Sequence, residues 1–177
     1  MRVIAGKYRG TPLAEFEGKN IRPTTDRTKE ALFSMLMPYI AGSRVLDLFC
    51  GSGSLGIEAI SRGAEEAVFN DFSKDSLAVL KKNLTKLKIQ AKITNNDYKT
   101  CLSNLTDKFD IVFLDPPYAL ECIDEILTII KKRDLLAEDG IIVYERDRSY
   151  SCEVEGFEVI KEKKYSISYV TLIKQVE

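Results

Sequence analysis

The sequence contains no histidine in 177 residues. That absence removes Ser-His and Cys-His nucleophilic chemistry and the most frequent nitrogen ligand of zinc. The four cysteines, Cys50, Cys101, Cys122 and Cys152, are widely spaced and form no CxxC pair. Neither a zinc site nor any other metal centre is therefore expected, and buried, reduced thiols in a cytoplasmic protein are the simpler reading. Long apolar runs are missing too. None approaches the roughly 18 residues that cross a bilayer, and no secretory signal follows Met1, because Val3 to Leu13 is interrupted by Gly6, Lys7, Arg9, Gly10 and Pro12. A reaction catalysed by this chain has carboxylates, backbone groups or a cofactor to work with.

No charge of one sign dominates: the net charge is −1 and the pI is near 5.7. Distribution says more than the sum. Arg2, Lys7 and Arg9 are the three charged side chains of the first thirteen residues, a basic tract that by itself carries no function.

What is present is alternation. Val3 to Gly10 reads as a short hairpin turning near Gly6, followed by a Pro- and Gly-punctuated loop through Pro23. Thr25 or Asp26 can cap a helix with Leu32, Met35, Leu36 and Tyr39 on one face, its end disturbed by Pro38. Strand and helix patterns then follow in turn: strand Arg44–Phe49, helix Ser54–Ser61, strand Ala67–Asp71, a Ser73-capped helix bearing Leu77, Leu80, Leu84 and Leu87, strand Ala91–Thr94, and a short helix around Tyr98 to Leu105. Strand Phe109–Leu114 comes next, then a helical face of Ile123, Ile126, Leu127 and Ile130. An Asp139-Gly140 turn leads into Ile141–Tyr144, and two strand-like runs, Phe157–Tyr165 and Ile167–Ile173, end the pattern. Nearly continuous apolar strands separated by helices predict an α/β, doubly wound, mostly parallel sheet. The last two strands have no room for the dozen or so residues of a parallel crossover, so the C-terminal edge is expected to be antiparallel. Residues 1–177 are read as one domain, with 1–40 as an N-terminal hairpin and helix and 41–177 as the core.

Ligands of such sheets bind at the carboxyl ends of the strands, and three polar features fall there. Gly51, Gly53 and Gly56 satisfy GxGxxG, a weak dinucleotide signal. Asp47, four residues earlier, would repel a pyrophosphate and suits a cationic ligand such as S-adenosylmethionine. Asp71 ends the next strand, where a carboxylate can accept from both ribose hydroxyls; Asp97 can accept from an adenine amino group, with Phe72 or Tyr98 packing nearby. Asp115-Pro116-Pro117-Tyr118 follows the fourth strand. Its carboxylate and the Pro116 carbonyl can accept the two N–H donors of a base amino group, and Tyr118 can stack on a base swung out of its neighbours.

Asp115-Pro-Pro-Tyr118 with Asp47-Leu-Phe-Cys-Gly-Ser-Gly53 resembles the amino-methyltransferases of nucleic acids. Met1-Arg-Val-Ile-Ala-Gly-Lys-Tyr-Arg-Gly10 and Ile21-Arg-Pro-Thr-Thr-Asp-Arg-Thr-Lys-Glu-Ala-Leu-Phe33 sharpen this to the bacterial 16S ribosomal RNA guanine-N2 methyltransferase family, from Met1 to about Glu145. The resemblance implies a Rossmann-like class I methyltransferase fold that transfers a methyl group from S-adenosylmethionine to the exocyclic N2 of a guanine. It implies 16S rRNA of an assembling or assembled small ribosomal subunit as the partner, and a cytoplasmic monomer. It places Asp47, Phe49, Gly51 and Gly53 around the methionine moiety, Asp71 on the ribose and Asp97 on the adenine. Asp115, Pro116, Pro117 and Tyr118 become the catalytic loop. Thr24 and Thr25, with Arg22 and Arg27, match a segment over cofactor and substrate, and Arg2, Lys7 and Arg9 are expected on RNA phosphate. Adenine-N6 methylation is the nearest rival, an NAD-dependent dehydrogenase a weaker one, and a non-catalytic RNA-binding assembly factor the rival from another class.

Overall fold

Among the described residues seven strands make one sheet, and runs such as Phe109–Leu114 and Ile141–Tyr144 are apolar on both faces and need cover on both. The computed structural model describes residues 1–16 and 25–177. The strands are β1 (Arg44–Asp47), β2 (Glu66–Asn70), β3 (Lys92–Thr94), β4 (Phe109–Leu114), β5 (Leu136–Arg146), β6 (Phe157–Tyr165) and β7 (Ser168–Gln175), in the order β3-β2-β1-β4-β5-β7-β6. The first five pair in parallel. β7 lies antiparallel between β5 and β6, so the expected antiparallel C-terminal edge is present.

The helices α1 (Asp26–Ile40), α2 (Ser54–Ser61), α3 (Lys74–Leu87), α4 (Tyr98–Asn104) and α5 (Ile123–Arg133) cover both faces. Leu32, Phe33, Leu36, Ile57, Leu80 and Leu84 pack with Phe69, Phe113 and Val143 in one layer. Leu102, Ile126, Leu127 and Ile130 pack with Leu46, Val112, Leu114 and Ile142 in the other. Strand order reverses direction at β1, between β2 and β4. That switch point opens a crevice at the carboxyl ends of the strands.

Three local readings change. α1 continues through Pro38 to Ile40; so near the C-terminus, losing one N–H bends little. Its buried face is Lys29, Leu32, Phe33, Leu36 and Ile40, rotated away from the expected Met35 and Tyr39, which are half-buried. Asp139-Gly140 lies inside the eleven-residue β5: Phe109 pairs with Leu136 and Ile111 with Ile141, so extra residues bulge out between them. A Cβ on Gly140 would stand 2.7 Å from Leu136 Cδ1, which explains the glycine.

The N-terminal segment forms the expected hairpin, with Gly6 in its turn region. Arg2 bridges Pro12 in antiparallel sense, and across the hairpin Val3 N–H donates to the Thr11 carbonyl at 2.9 Å, Gly10 N–H to the Val3 carbonyl at 2.8 Å and Leu13 N–H to the Met1 carbonyl at 2.8 Å, while its turn bonds to the core. Ile4 and Ala5 N–H donate to the two oxygens of Glu58 at 2.8 and 3.1 Å, and Lys7 N–H donates to the Ser61 carbonyl at 2.8 Å. Gly6 has φ +86° and lies flat on α2, where a Cβ would fall 1.8 Å from that same Ser61 oxygen. The fully buried Lys29 ammonium completes the joint, reaching the Arg2 carbonyl (2.7 Å), Ser54 Oγ (3.2 Å) and Glu58 Oε1 (3.2 Å). Burial pushes the Lys29 pKa down, opposed by the attraction of Glu58.

Candidate active site

The crevice is built from the ends of β1, β2, β3 and β4. β1 ends in a glycine-rich loop that crosses to α2, and the Leu48 N–H donates to the Phe113 carbonyl of β4 at 3.2 Å. The loop is thereby tied beside the Asp115-Pro116-Pro117-Tyr118 segment. On the other side, the Gly51 N–H donates to Asp71 Oδ2 at 2.9 Å, while Asp71 Oδ1 accepts from the Ser73 N–H at 2.8 Å. Asp71 therefore braces the loop, and each of its oxygens keeps a further lone pair for a ligand.

The glycines differ in purpose. Gly53 has φ +87°, and a Cβ there would meet Leu80 Cδ1 at 2.3 Å; on Gly56 it would meet Phe69 Cε1 at 2.4 Å. Both are small because α2 packs tightly on the sheet. Gly51 also has a positive φ, +53°, yet a Cβ there would meet nothing within 4 Å. Its outer side is open, as the approach of a ligand to the backbone requires.

Asp47 sits beneath the loop, only 1% exposed, with Oδ2 accepting from the Gly56 N–H at 3.0 Å. Desolvation, aided by the nearby Asp71 charge and opposed by that hydrogen bond, pushes its pKa up to about 7. It is the buried negative potential of the crevice, poised between charge states near neutrality. Cys50 is buried beside it, and burial pushes its thiol well up; it is inert packing.

Asp97 is the N-cap of α4, accepting from the Thr100 N–H (2.9 Å) and hydroxyl (2.8 Å). These bonds hold its carboxyl below the usual range. Tyr98 faces Phe49 with ring centroids 6.1 Å apart and donates its hydroxyl to Glu125 at 2.7 Å. Phe72 is 78% exposed. After β4, Asp115 is half-buried and Pro116 buried. The Pro117 carbonyl is used within the chain, accepting from the Leu120 N–H at 2.9 Å, and Tyr118 Oη lies 3.4 Å from Ser168 Oγ at the β6–β7 turn.

Thr25 caps α1 through the Thr28 N–H. Arg2 pairs with Asp26 at 3.0 Å and exposed Arg27 follows on the same helix turn. Lys7 and Arg9 are not with them. They ride on the loop docked at Ser61, the end of α2 remote from the glycine loop. Arg22 and Thr24 lie outside the described residues. Among the described residues no cluster of His, Cys, Asp or Glu is arranged to hold a metal, and no helix is long and apolar enough to cross a membrane.

Two site-forming groups escaped sequence reasoning. Asn70, 1% exposed, donates to the Leu48 and Asn96 carbonyls and accepts from the Thr94 hydroxyl and Asn96 N–H, tying together the ends of β1, β2 and β3. Glu145, buried at the end of β5, stands next in register to Asp115, since Leu114 pairs with Tyr144. The available signal was a polar residue closing an otherwise apolar run.

Residues 1–174 match the family model described as Conserved hypothetical protein 95. Bacillus subtilis YlbH is 40% identical over 99% of both chains. The Ribosomal RNA small subunit methyltransferase D of Haemophilus influenzae is 38% identical over 94% of this chain and 90% of its own. The solved structure of Escherichia coli yhhF superposes with a TM-score of 0.90 at 31% identity, covering 99% of this chain and 98% of the other. The sheet is thus a Rossmann-like methyltransferase sheet, and the chain belongs to the Conserved hypothetical protein 95 family, to which the small-subunit ribosomal RNA methyltransferases D are related over most of their length.

Proposed function

We propose that this chain methylates the exocyclic N2 of a guanine in 16S rRNA of the small ribosomal subunit, using S-adenosylmethionine, as a single cytoplasmic methyltransferase domain. The carrying observation is the meeting of two acid-bearing loops at one rim, Asp47 and the glycine loop after β1 and Asp115 to Tyr118 after β4, joined by the Leu48–Phe113 hydrogen bond. The names of the relatives support ribosomal RNA as the substrate.

The residues fit the cofactor. Asp71 has lone pairs for two ribose hydroxyls, Asp47 supplies negative potential for a cation, and the open side of Gly51 lets a ligand lie against the backbone. Phe49 would stand on the methionine side with the glycine loop, Asp97 with Phe72 or Tyr98 would receive the adenine, and Thr24 and Thr25 would lie over the cofactor. Bound there, S-adenosylmethionine supplies an electrophilic methyl group on a sulfonium leaving group. The protein's own part is orientation and polarisation. The Asp115 carboxylate and the Pro116 carbonyl accept the two amine N–H groups, turning the nitrogen lone pair out of conjugation. Tyr118 stacks on the base. Once methylated, the amine is acidic, and its surplus proton passes to an Asp115 carboxylate oxygen or to water. Arg2, Lys7, Arg9, Arg22 and Arg27 would contact RNA phosphate.

Nucleoside mass spectrometry of ribosomal RNA from cells lacking the protein tests this. One N2-methylguanosine should disappear, return with the wild type and stay absent with Asp115→Ala, whose S-adenosylmethionine affinity by calorimetry should remain within about threefold of wild type (~0.6 kcal/mol). Loss of N6-methyladenosine instead would transfer the assignment to adenine, and retention of every methylated base would end it.

A further inference from the structure

The basic residues expected on RNA are divided by the fold. Lys7 and Tyr8 are anchored at Ser61, at the end of α2 that leads back to the amino ends of the strands, and Arg9 follows them in the same turn. Arg2 is engaged by Asp26. RNA presented to Tyr118 needs positive charge at the carboxyl rim beside that residue, and the β6–β7 turn supplies some of it. β5 ends at the rim, and the antiparallel pair β6 and β7 turns there through Ser166 (φ +56°) and Ile167. Ser168, the first residue of β7, lies against the Tyr118 hydroxyl.

The charge of this turn is one-sided for a structural reason. Its sequence, Lys161-Glu-Lys-Lys-Tyr165, includes a carboxylate, but Glu162 is turned inward. It accepts from the Ser149 hydroxyl, the Tyr150 N–H and the Thr171 hydroxyl. Lys161, Lys163 and Lys164 remain exposed. Register places Arg146, Tyr169 and Lys164 side by side across β5, β7 and β6, and the Lys164 ammonium stands 5.6 Å from the Tyr169 ring centroid. At the tip Ile167 is 63% exposed, an apolar surface beside cations.

We propose that the β6–β7 turn is the RNA-binding wall of the catalytic rim: Lys163 and Lys164 hold the phosphates flanking the target nucleotide, and Ile167 packs on a base or sugar beside it. This rests on the RNA reading above. Positive charge with a neighbouring apolar and aromatic surface matches the backbone and unstacked bases of single-stranded RNA. The contact to Tyr118 places that grip one residue from the loop proposed to hold the target base.

The test is filter binding of a full-length 16S rRNA transcript over a potassium chloride series, together with labelled-methyl transfer from S-adenosylmethionine to small subunits. The Lys163→Glu/Lys164→Glu variant should bind RNA at least tenfold more weakly, and its slope of log affinity against log salt should be shallower by about 1.5, roughly 0.7 for each lost single-strand contact. S-adenosylmethionine affinity and melting temperature should match wild type, with the loss appearing in KM and not in kcat. A control of equal charge change at the other end of the sheet, Lys108→Glu/Lys132→Glu, should alter RNA affinity less than threefold. Wild-type affinity and slope in the turn variant, or an equal loss in the control, would overturn the proposal. Wild-type protein that binds RNA through the turn yet methylates no guanine would leave this surface standing and end the guanine assignment. Wild type with no affinity for RNA or subunits would end both.

Discussion

Asp47 is a buried carboxyl at the end of β1. A carboxyl that ionises near 7 when folded and near 3.8 when unfolded binds more protons in the folded state between those values. The stability it contributes is complete below about pH 4 and is lost as pH rises through about 7, by at most about 1.4 kcal/mol per pH unit. Asn in its place keeps an oxygen for the Gly56 N–H and cannot ionise. Urea unfolding at a series of pH values should therefore show Asp47→Asn gaining on wild type from pH 5 to pH 8; a constant difference would mean that the carboxyl is already charged at pH 5. A cationic ligand reverses the preference, since it favours the carboxylate. S-adenosylmethionine affinity should rise with pH through about 7 in the wild type and stay low and level in Asp47→Asn. Calorimetry at the same pH values checks this.

At the scale of elements, the glycine loop and α2 separate packing from binding. Gly56→Ala pushes a methyl into the Phe69 ring and should cost about 1–3 kcal/mol in urea unfolding, as overpacked cores do. Gly51→Ala meets only the left-handed backbone penalty of ~1–2 kcal/mol, its methyl pointing into open space, yet it should lower S-adenosylmethionine affinity at least tenfold. Normal affinity in Gly51→Ala would show that the ligand does not approach this side of the loop. The same elements show what the sequence makes legible. Parallel strands buried on both faces are written as apolar runs, so β1, β2 and β4 and the acids closing them, Asp47, Asp71 and Asp115, stand out unaided. Asp139-Gly140 carries the same chemistry whether it turns a hairpin or bulges a strand, so local sequence could not separate the two. The N-terminal hairpin was legible from its glycines, but not what its turn packs on: Ile4, Ala5, Lys7 and Tyr8 bond to Glu58 and Ser61, partners more than fifty residues away that local turn signals do not mention. Lys29 within an apolar helical stripe was the visible trace of that joint, and only the packing of α1 on α2 names its partner.

The whole molecule carries a net charge of −1, and its exposed cations are spread over the surface, among them Arg2 and Arg27 at the start of α1, Lys7 and Arg9 on the loop at Ser61, Lys81, Lys82 and Lys86 on α3, Lys131, Lys132 and Arg133 at the end of α5, and Lys163 and Lys164 beside the β6–β7 turn. A molecule so charged engages few phosphates at once. Each single-strand contact adds only about 0.7 to the salt slope, so affinity for naked RNA rests on a handful of counterions released, and the slope of log affinity against log salt should be shallower than about −5. Specific engagement then has to come from shape, from a substrate that presents the target base already held near the rim and offers surfaces complementary to both the α1 side and the β6–β7 side. An assembled small subunit offers that preorganisation, whereas a free 16S rRNA must be ordered at the moment of binding, at the expense of affinity. Steady-state transfer of labelled methyl groups at about 0.1 M salt should therefore give a kcat/KM at least tenfold higher on undermethylated small subunits than on the deproteinised RNA extracted from them, with the difference in KM. Equal values on the two substrates, or a salt slope steeper than about −8, would show that backbone charge and not preformed shape governs recognition.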